Sequence, residues 1–513
     1  MLSESVYGRP PMKLLILLVF SGSVWFENQD TLLSSGKALL QKGKVDQAVQ
    51  ILERASAENP HSDQAHYYYG LTLSKIGAFP KAIAEFQRAL ELNPKYAEAR
   101  SSLGVALAET GDIEGAIRAF RAAIEQRPEM VEPHLELGQL YDRLGEKSLA
   151  LAQFREAASC CPESSEAHRH FGNALRLEGD LIGAITELRR AISNDGSSLL
   201  ALEDLARAMR DQHDWEGAIE CHRRIVSERP NSASAHANLG YVLRKSDRLP
   251  DAVHELQKAV ALSPELALAH FYLAEALAQQ GDFGAALPEY ERASKLDPKN
   301  AELSLKFGLA LSEVRPEDAI VELRRSIELD PENPAARRSL GLLLRRTGDI
   351  KAASSEFQKA RELSLEADRH SEALVHTKNA IQYLKRNDFS HAIGELRWAL
   401  REEPDSPDAN HLLGVALSAT GEWREANRAF SVALAKRPSD PEIHFNFAVF
   451  LGRQADWKGA AREFKSVLTL RPGRSDAHCL LASALAHMGD SESSDRELKL
   501  ARQLGPCELV SAP

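Results

Sequence analysis

A surplus of positive charge is the first thing this 513-residue chain lacks. Its 63 Lys and Arg face 74 Asp and Glu, a formal net charge of −11. A binder of nucleic-acid phosphates needs the opposite balance, which argues against non-specific binding of nucleic acid, and no nucleic-acid partner is expected. Aromatic residues are scarce at 6 %, while Ala, Leu and Glu recur, which suits helices better than sheets. Cysteine is sparse and irregularly spaced (Cys160, Cys161, Cys221, Cys479 and Cys507). That pattern offers neither a disulfide framework nor a zinc signature, so the expectation is thiols. No glycine-rich phosphate loop occurs, and no Ser, Cys or carboxylate nucleophile has a companion motif. Catalytic, metal-binding and cofactor residues are therefore expected to be none, and a small-molecule substrate is not expected.

Long apolar runs are also missing, with one exception. Arg9 and Lys13 precede Leu14-Leu15-Ile16-Leu17-Leu18-Val19-Phe20, and Ser21-Gly22-Ser23 follow. Positive start, short apolar centre and small residues are the order of an export signal, and the run is short for a permanent span. The expectation for residues 1–28 is export to a periplasmic or extracellular destination. An uncleaved anchor and an apolar cap on the following structure are the other readings, the last leaving the chain in the cytoplasm. Met12 is a second candidate start.

What is present is a repeat. From residue 29 the chain aligns in fourteen blocks of 34, with one single-residue deletion and one five-residue insertion, to residue 508. The eighth position is always Gly or Ala, as at Gly70, Gly104, Gly138, Gly240 and Ala274. Twelve positions later stands Ala in every block but the last, which has Ser494. Proline closes all blocks except those with Gly196 and Leu365. Apolar residues recur at helical spacing around the small ones, as in Leu103, Leu107, Ile117 and Phe120. Gly43, Gly77, Gly111, Gly145 and Gly179 fall where a first helix should stop. Proline stops the second. One helix pair cannot bury its own apolar face, so the pairs must stack and share a core.

Leu103-Gly104, Ala116-Ile117-Arg118-Ala119-Phe120 and Pro128 carry a resemblance to the tetratricopeptide repeat, which covers residues 29–508. His commonly stands where the family has an early Trp. The resemblance implies an all-α fold, a right-handed α-solenoid superhelix of about fourteen helix-turn-helix repeats. Its first helices would line a concave groove that takes protein or peptide partners. The chain is similar to the repeat region of O-linked N-acetylglucosamine transferases, but the repeats leave no room for a catalytic domain. Of that region's row of inner asparagines only Asn238 and Asn446 have counterparts.

The array has irregularities. The tenth repeat ends in Leu365 instead of Pro and is followed by the extra Asp368-Arg369-His370-Ser371-Glu372. Two readings stand: a joint between repeats one to ten (29–367) and eleven to fourteen (373–508), or a lengthened turn. The ninth repeat is shortened at Val314-Arg315-Pro316-Glu317, where a tighter turn is expected. Ser494 and Asp495 in the last second helix read as a polar end cap, ahead of a short tail at 509–513.

Histidine recurs at the fourth position of eight repeats, from His66 to His478. One residue per repeat makes a row rather than a cluster, so these read as space-fillers with a polar tip and not as metal ligands. The groove positions that the resemblance implies carry Arg143, Arg169, Asn173, Arg176, Arg207, Arg210, Tyr241, Arg244 and Lys245 in repeats four to seven. Arg338, Arg345 and Arg346 add to them in repeat ten. Guanidinium forks suit carboxylates, so the expected function is a non-enzymatic scaffold binding acidic protein or peptide segments. The competing expectation is an accessory or substrate-presenting subunit of an envelope assembly, secretion or glycosyltransferase system.

Overall fold

The computed structural model describes residues 31–504; the signal-like segment and the tail at 509–513 lie outside them. The described residues are helices joined by short turns, with no strand among them. None of these helices is long and apolar enough to cross a membrane. The chain falls into two compact units, divided between Phe171 and Gly172.

Repeat three shows how the sequence makes each pair. Ala97–Glu109 forms the first helix and Ile113–Gln126 the second. Gly111 turns the chain between them at φ +86°, a left-handed conformation that costs glycine little. Asp112 then caps the second helix by accepting from the Gly115 N–H at 2.9 Å, worth about 1 kcal/mol. The eighth-position glycine is small because the partner helix is close. A Cβ added to Gly104 would lie 2.7 Å from the Phe120 ring. Where repeats lack the turn glycine, His213, Asp247, Asn387 and Ala455 take positive φ instead. In repeat nine the deletion shortens the first helix to Ala301–Leu311, and the second starts at Pro316.

The third position of each repeat records how repeats meet. In repeats two to ten and twelve to fourteen it is buried, as at Ala65, Ala99, Ala235, Ala269, Ala336 and Ala477. In repeat eleven it is Val375, and it is 54 % exposed. The reason is the connection. Instead of a turn, repeats ten and eleven share one helix, Ile350–Lys385, of 36 residues, roughly 54 Å long. The segment 368–372 is helical, which overturns the reading of a lengthened turn. Without proline at Leu365, nothing removes a backbone donor or forces the preceding residue out of helical conformation. Residues 365–372 are all exposed. The apolar core breaks here as well: one cluster runs from Ile185 to Ala353, and a separate one from Ala373 to Leu485.

Repeat ten is also finished like an end. In most second helices the twenty-first and twenty-eighth positions hold aliphatic residues that pack on the core, such as Val253 and Val260, or Ile393 and Leu400; repeats one, eight and twelve keep one of the two, beside Ser56, Ser294 and Asn427. In repeat ten they are Ser354 and Arg361, and in repeat fourteen Asp495 and Arg502, all exposed. Ser494, expected as part of a polar cap, is instead buried and donates to the Ala482 carbonyl at 2.8 Å. Its hydroxyl fits the packing slot that Ala fills elsewhere. A second correction concerns cysteine. Cys160, Cys161 and Cys221 are thiols, but Cys479 is disulfide-bonded.

Candidate functional site

The histidine row is structural, and more specific than space-filling. His270 Nδ1 lies 2.5 Å from Glu289 of its own second helix, and Nε2 lies 3.0 Å from the Pro264 carbonyl closing the preceding repeat. His66, His236, His444 and His478 repeat both contacts with Glu85, Glu255, Glu463 and Glu497 and with the preceding proline carbonyl. Arg337 and Asn410 reach the same carbonyl from the same position. The fourth position is thus a staple between repeats. Among the described residues no group of three or more His, Cys, Asp or Glu is placed to hold a metal ion.

The predicted groove residues divide by partner. In the first unit, Arg143 lies 3.7 Å from Glu109 of the preceding repeat, and the Arg169 guanidinium meets His170 at 3.1 Å. In the second unit a ladder links repeats five and six and continues within repeat six. Asn173 donates to Asp204 at 2.5 Å, Arg176 to Asp211 at 2.7 Å and Arg207 to Asp204 at 3.1 Å. Arg244, 7 % exposed, pairs with Glu275 at 2.9 Å. Such buried pairing orients a guanidinium and takes it out of competition for a partner.

Tyr241 gathers the rest. Arg210, Arg244 and Lys245 lie 5.6, 5.7 and 5.8 Å from its ring centre, within cation–π range. Tyr272 of repeat eight packs against it at 4.9 Å, and burial pushes the Tyr272 hydroxyl up from its ordinary pKa. Among the described residues Arg210 and Lys245 make no ion pair, in contrast to Arg244 between them. Arg210 also faces the buried His222, whose pKa is lowered to about 4, first by burial and then by that guanidinium. The site is a half-buried aromatic ring flanked by two unneutralised cations.

Arg338, Arg345 and Arg346 do not join it. Arg338 reaches the Ser364 hydroxyl at 3.4 Å, Arg345 covers the Phe357 ring at 5.7 Å, and Arg346 is held by Glu313 and the Ser312 carbonyl. The sequence reading missed Tyr272 and Glu275 and gave Asp204 no pairing role. Glu275 lies at the ninth position of repeat eight, so extending the same face by one repeat would have found it, whereas Asp204 and Tyr272 lie at the sixth position, beside the face that was read.

Models of the tetratricopeptide repeat match residues 33–97, 70–131, 101–165, 135–198, 203–267, 238–301, 309–367 and 378–444. A comparison with curated proteins finds no match. Among solved structures the chain is similar to a MamA, with 27 % identity over 31 % of this chain and 94 % of that one, TM-score 0.29. It is also similar to PilF of Pseudomonas aeruginosa, with 20 % identity over 40 % and 95 %, TM-score 0.36. A thermophilic tetratricopeptide repeat protein of Thermus thermophilus shows 23 % identity over 35 % and 98 %, TM-score 0.32. With family models matching well over half of its length, the chain belongs to the tetratricopeptide repeat family.

Proposed function

We propose that this chain is a non-enzymatic protein-interaction scaffold that holds an acidic peptide segment on the first-helix face of repeats six to eight. One observation carries the reading. Arg176, Arg207 and Arg244 are neutralised by carboxylates of their own or the neighbouring repeat, whereas Arg210 and Lys245 stand beside Tyr241 without one. A carboxylate seated between them gains two charge-assisted contacts, and the ring supplies a flat surface for the adjoining backbone or side chain. We further propose that the chain works after export. The N-terminal order of charge, apolar run and small residues supports this, as does the disulfide at Cys479, since disulfides persist in oxidising compartments.

The test is anisotropy of a short fluorescein-labelled Glu/Asp-rich peptide on the purified chain. The double variant Arg210→Glu, Lys245→Glu is expected to weaken binding at least ~10-fold with an unchanged melting temperature, since neither residue makes an internal ion pair. Reversal of Arg338 and Arg345 is expected to leave it within ~2-fold. Equal affinity for wild type and the Arg210/Lys245 variant refutes the assignment.

A further inference from the structure

At the other joints among the described residues the third-position residue is covered, and the rings of His66, His168, His236, His270, His444 and His478 are tied to the carbonyl of the proline ahead. Repeat eleven alone has both features open. Val375 is 54 % exposed. The His376 side chain is 33 % exposed, against 7 % for His270, and only its Nδ1 is engaged, by Glu395 at 2.7 Å. Beside them Trp398 is 52 % exposed at a position where most repeats carry Arg or Lys. Ser371, Glu372, Val375, His376, Trp398 and Glu402 line a recess of about 360 Å³. An exposed Val and Trp around an open recess mark a face built to be covered.

We infer that this face receives an amphipathic helix from a partner protein, which takes the place a preceding second helix occupies at the other joints. Those joints specify its chemistry. Most covering helices carry aliphatic residues seven apart at the twenty-first and twenty-eighth positions, as at Val253 and Val260, then a proline whose carbonyl reaches the histidine. Glu372 and Glu402 at the rim add a preference for a basic side chain. The chain's own ends do not qualify. Repeats ten and fourteen have Ser354 and Arg361, or Asp495 and Arg502, at the two aliphatic positions, which disfavours a second copy stacking end to face. The interface is separate from the Tyr241 site and does not rest on it.

The probe is a labelled peptide of residues 249–265, the repeat-seven second helix with Val253, Val260, Lys258 and Pro264. The full-length chain carries the photo-crosslinker benzoylphenylalanine in place of Val375. Crosslinking to the peptide is expected, and the double variant Val375→Lys, Trp398→Glu is expected to bind it at least ~10-fold more weakly. Both side chains are more than half exposed, so the variant should melt like wild type, and Arg210→Glu, Lys245→Glu should leave this binding intact. Three results overturn the inference: no crosslink with equal binding by the variant, crosslinks between copies that grow with protein concentration, or crosslinks to residues 1–28 of the same chain.

Discussion

Repeats seven and eight meet as the family pattern requires, and repeats ten and eleven do not. At the first joint the helix Leu249–Leu262 ends before Pro264, and Ala269 is 0 % exposed. Val253 and Val260 join the core, and His270 grips the Pro264 carbonyl at 3.0 Å. At the second joint the proline is Leu365, the aliphatic pair is Ser354 and Arg361, and the chain continues as helix through Lys385. Both repeats at this joint still form good internal pairs. Eighth-position Gly341 packs on Phe357, and the buried Ala380 takes that role in repeat eleven. Folding of a pair and stacking of pairs are therefore set by different residues. The small ones inside a repeat make the hairpin; the proline, the aliphatic pair and the third position make the array.

Lysine at the third position breaks the comparison most sharply. Ala269→Lys puts an ammonium into a sealed joint and is expected to cost about 4 kcal/mol. Val375→Lys, on the open joint, is expected to change stability by under ~0.5 kcal/mol. Urea unfolding of both variants decides; similar losses would mean that repeat eleven is covered after all. Leu365→Pro probes the connection. It removes a helix hydrogen bond at a cost of about 3 kcal/mol, and because residues 365–372 are all exposed, the cost stays local. Amide exchange over residues 361–369 should accelerate roughly 100-fold, while the repeats on either side keep their protection. Unchanged exchange there would contradict a continuous helix.

Acid separates a packed region from an open one. His222 is 6 % exposed in the second helix of repeat six, and its pKa is lowered to about 4 from 6.5. The unfolded chain therefore binds this proton first as pH falls. The stabilisation is complete above pH 6.5 and is lost on the way down to about pH 4, by about 3 kcal/mol. His222→Phe, which keeps the ring volume, should flatten the fall in urea midpoint between pH 7 and pH 4.5. An equally steep fall in this variant would place the acid sensitivity elsewhere.

Much of this architecture is legible in the sequence because its signals are local. Glycine at the turn, Ala or Gly at the helix contact and Pro at the end act within a few residues of where they stand. The missing proline at Leu365 and the inserted residues are equally visible, but their outcome is not. Whether Asp368 to Glu372 loop out or stay helical depends on whether anything pulls repeat eleven back onto repeat ten, and that pull was lost at Ser354 and Arg361, far from the insertion. The groove was half legible. Its arginines follow from position alone, but which are neutralised depends on the offset between neighbouring repeats. That offset brings Asp211 to Arg176 and Glu275 to Arg244 while leaving Arg210 and Lys245 unpaired, and a one-dimensional period does not encode it.

The staple gives the smallest effect and the most direct measure of what stacking adds. His270 and His376 share one neighbour within their own repeats, a second-helix carboxylate against Nδ1, 2.5 Å away for Glu289 and 2.7 Å for Glu395, and His376 also stacks on Trp398, a contact that Phe keeps. They differ in the proline carbonyl, present for His270 and absent for His376. Phenylalanine at either position keeps the ring and removes the polar contacts. His270→Phe takes the ring partner from both the Glu289 carboxylate and the Pro264 carbonyl, at about 2 kcal/mol. His376→Phe takes one partner from Glu395, which still accepts from Asn379 at 3.2 Å, at about 0.5 kcal/mol. The difference between the two measured values is the share of the inter-repeat bond. If the two substitutions cost the same, the carbonyl contact contributes nothing, and what holds successive repeats together is apolar packing at the third, twenty-first and twenty-eighth positions alone.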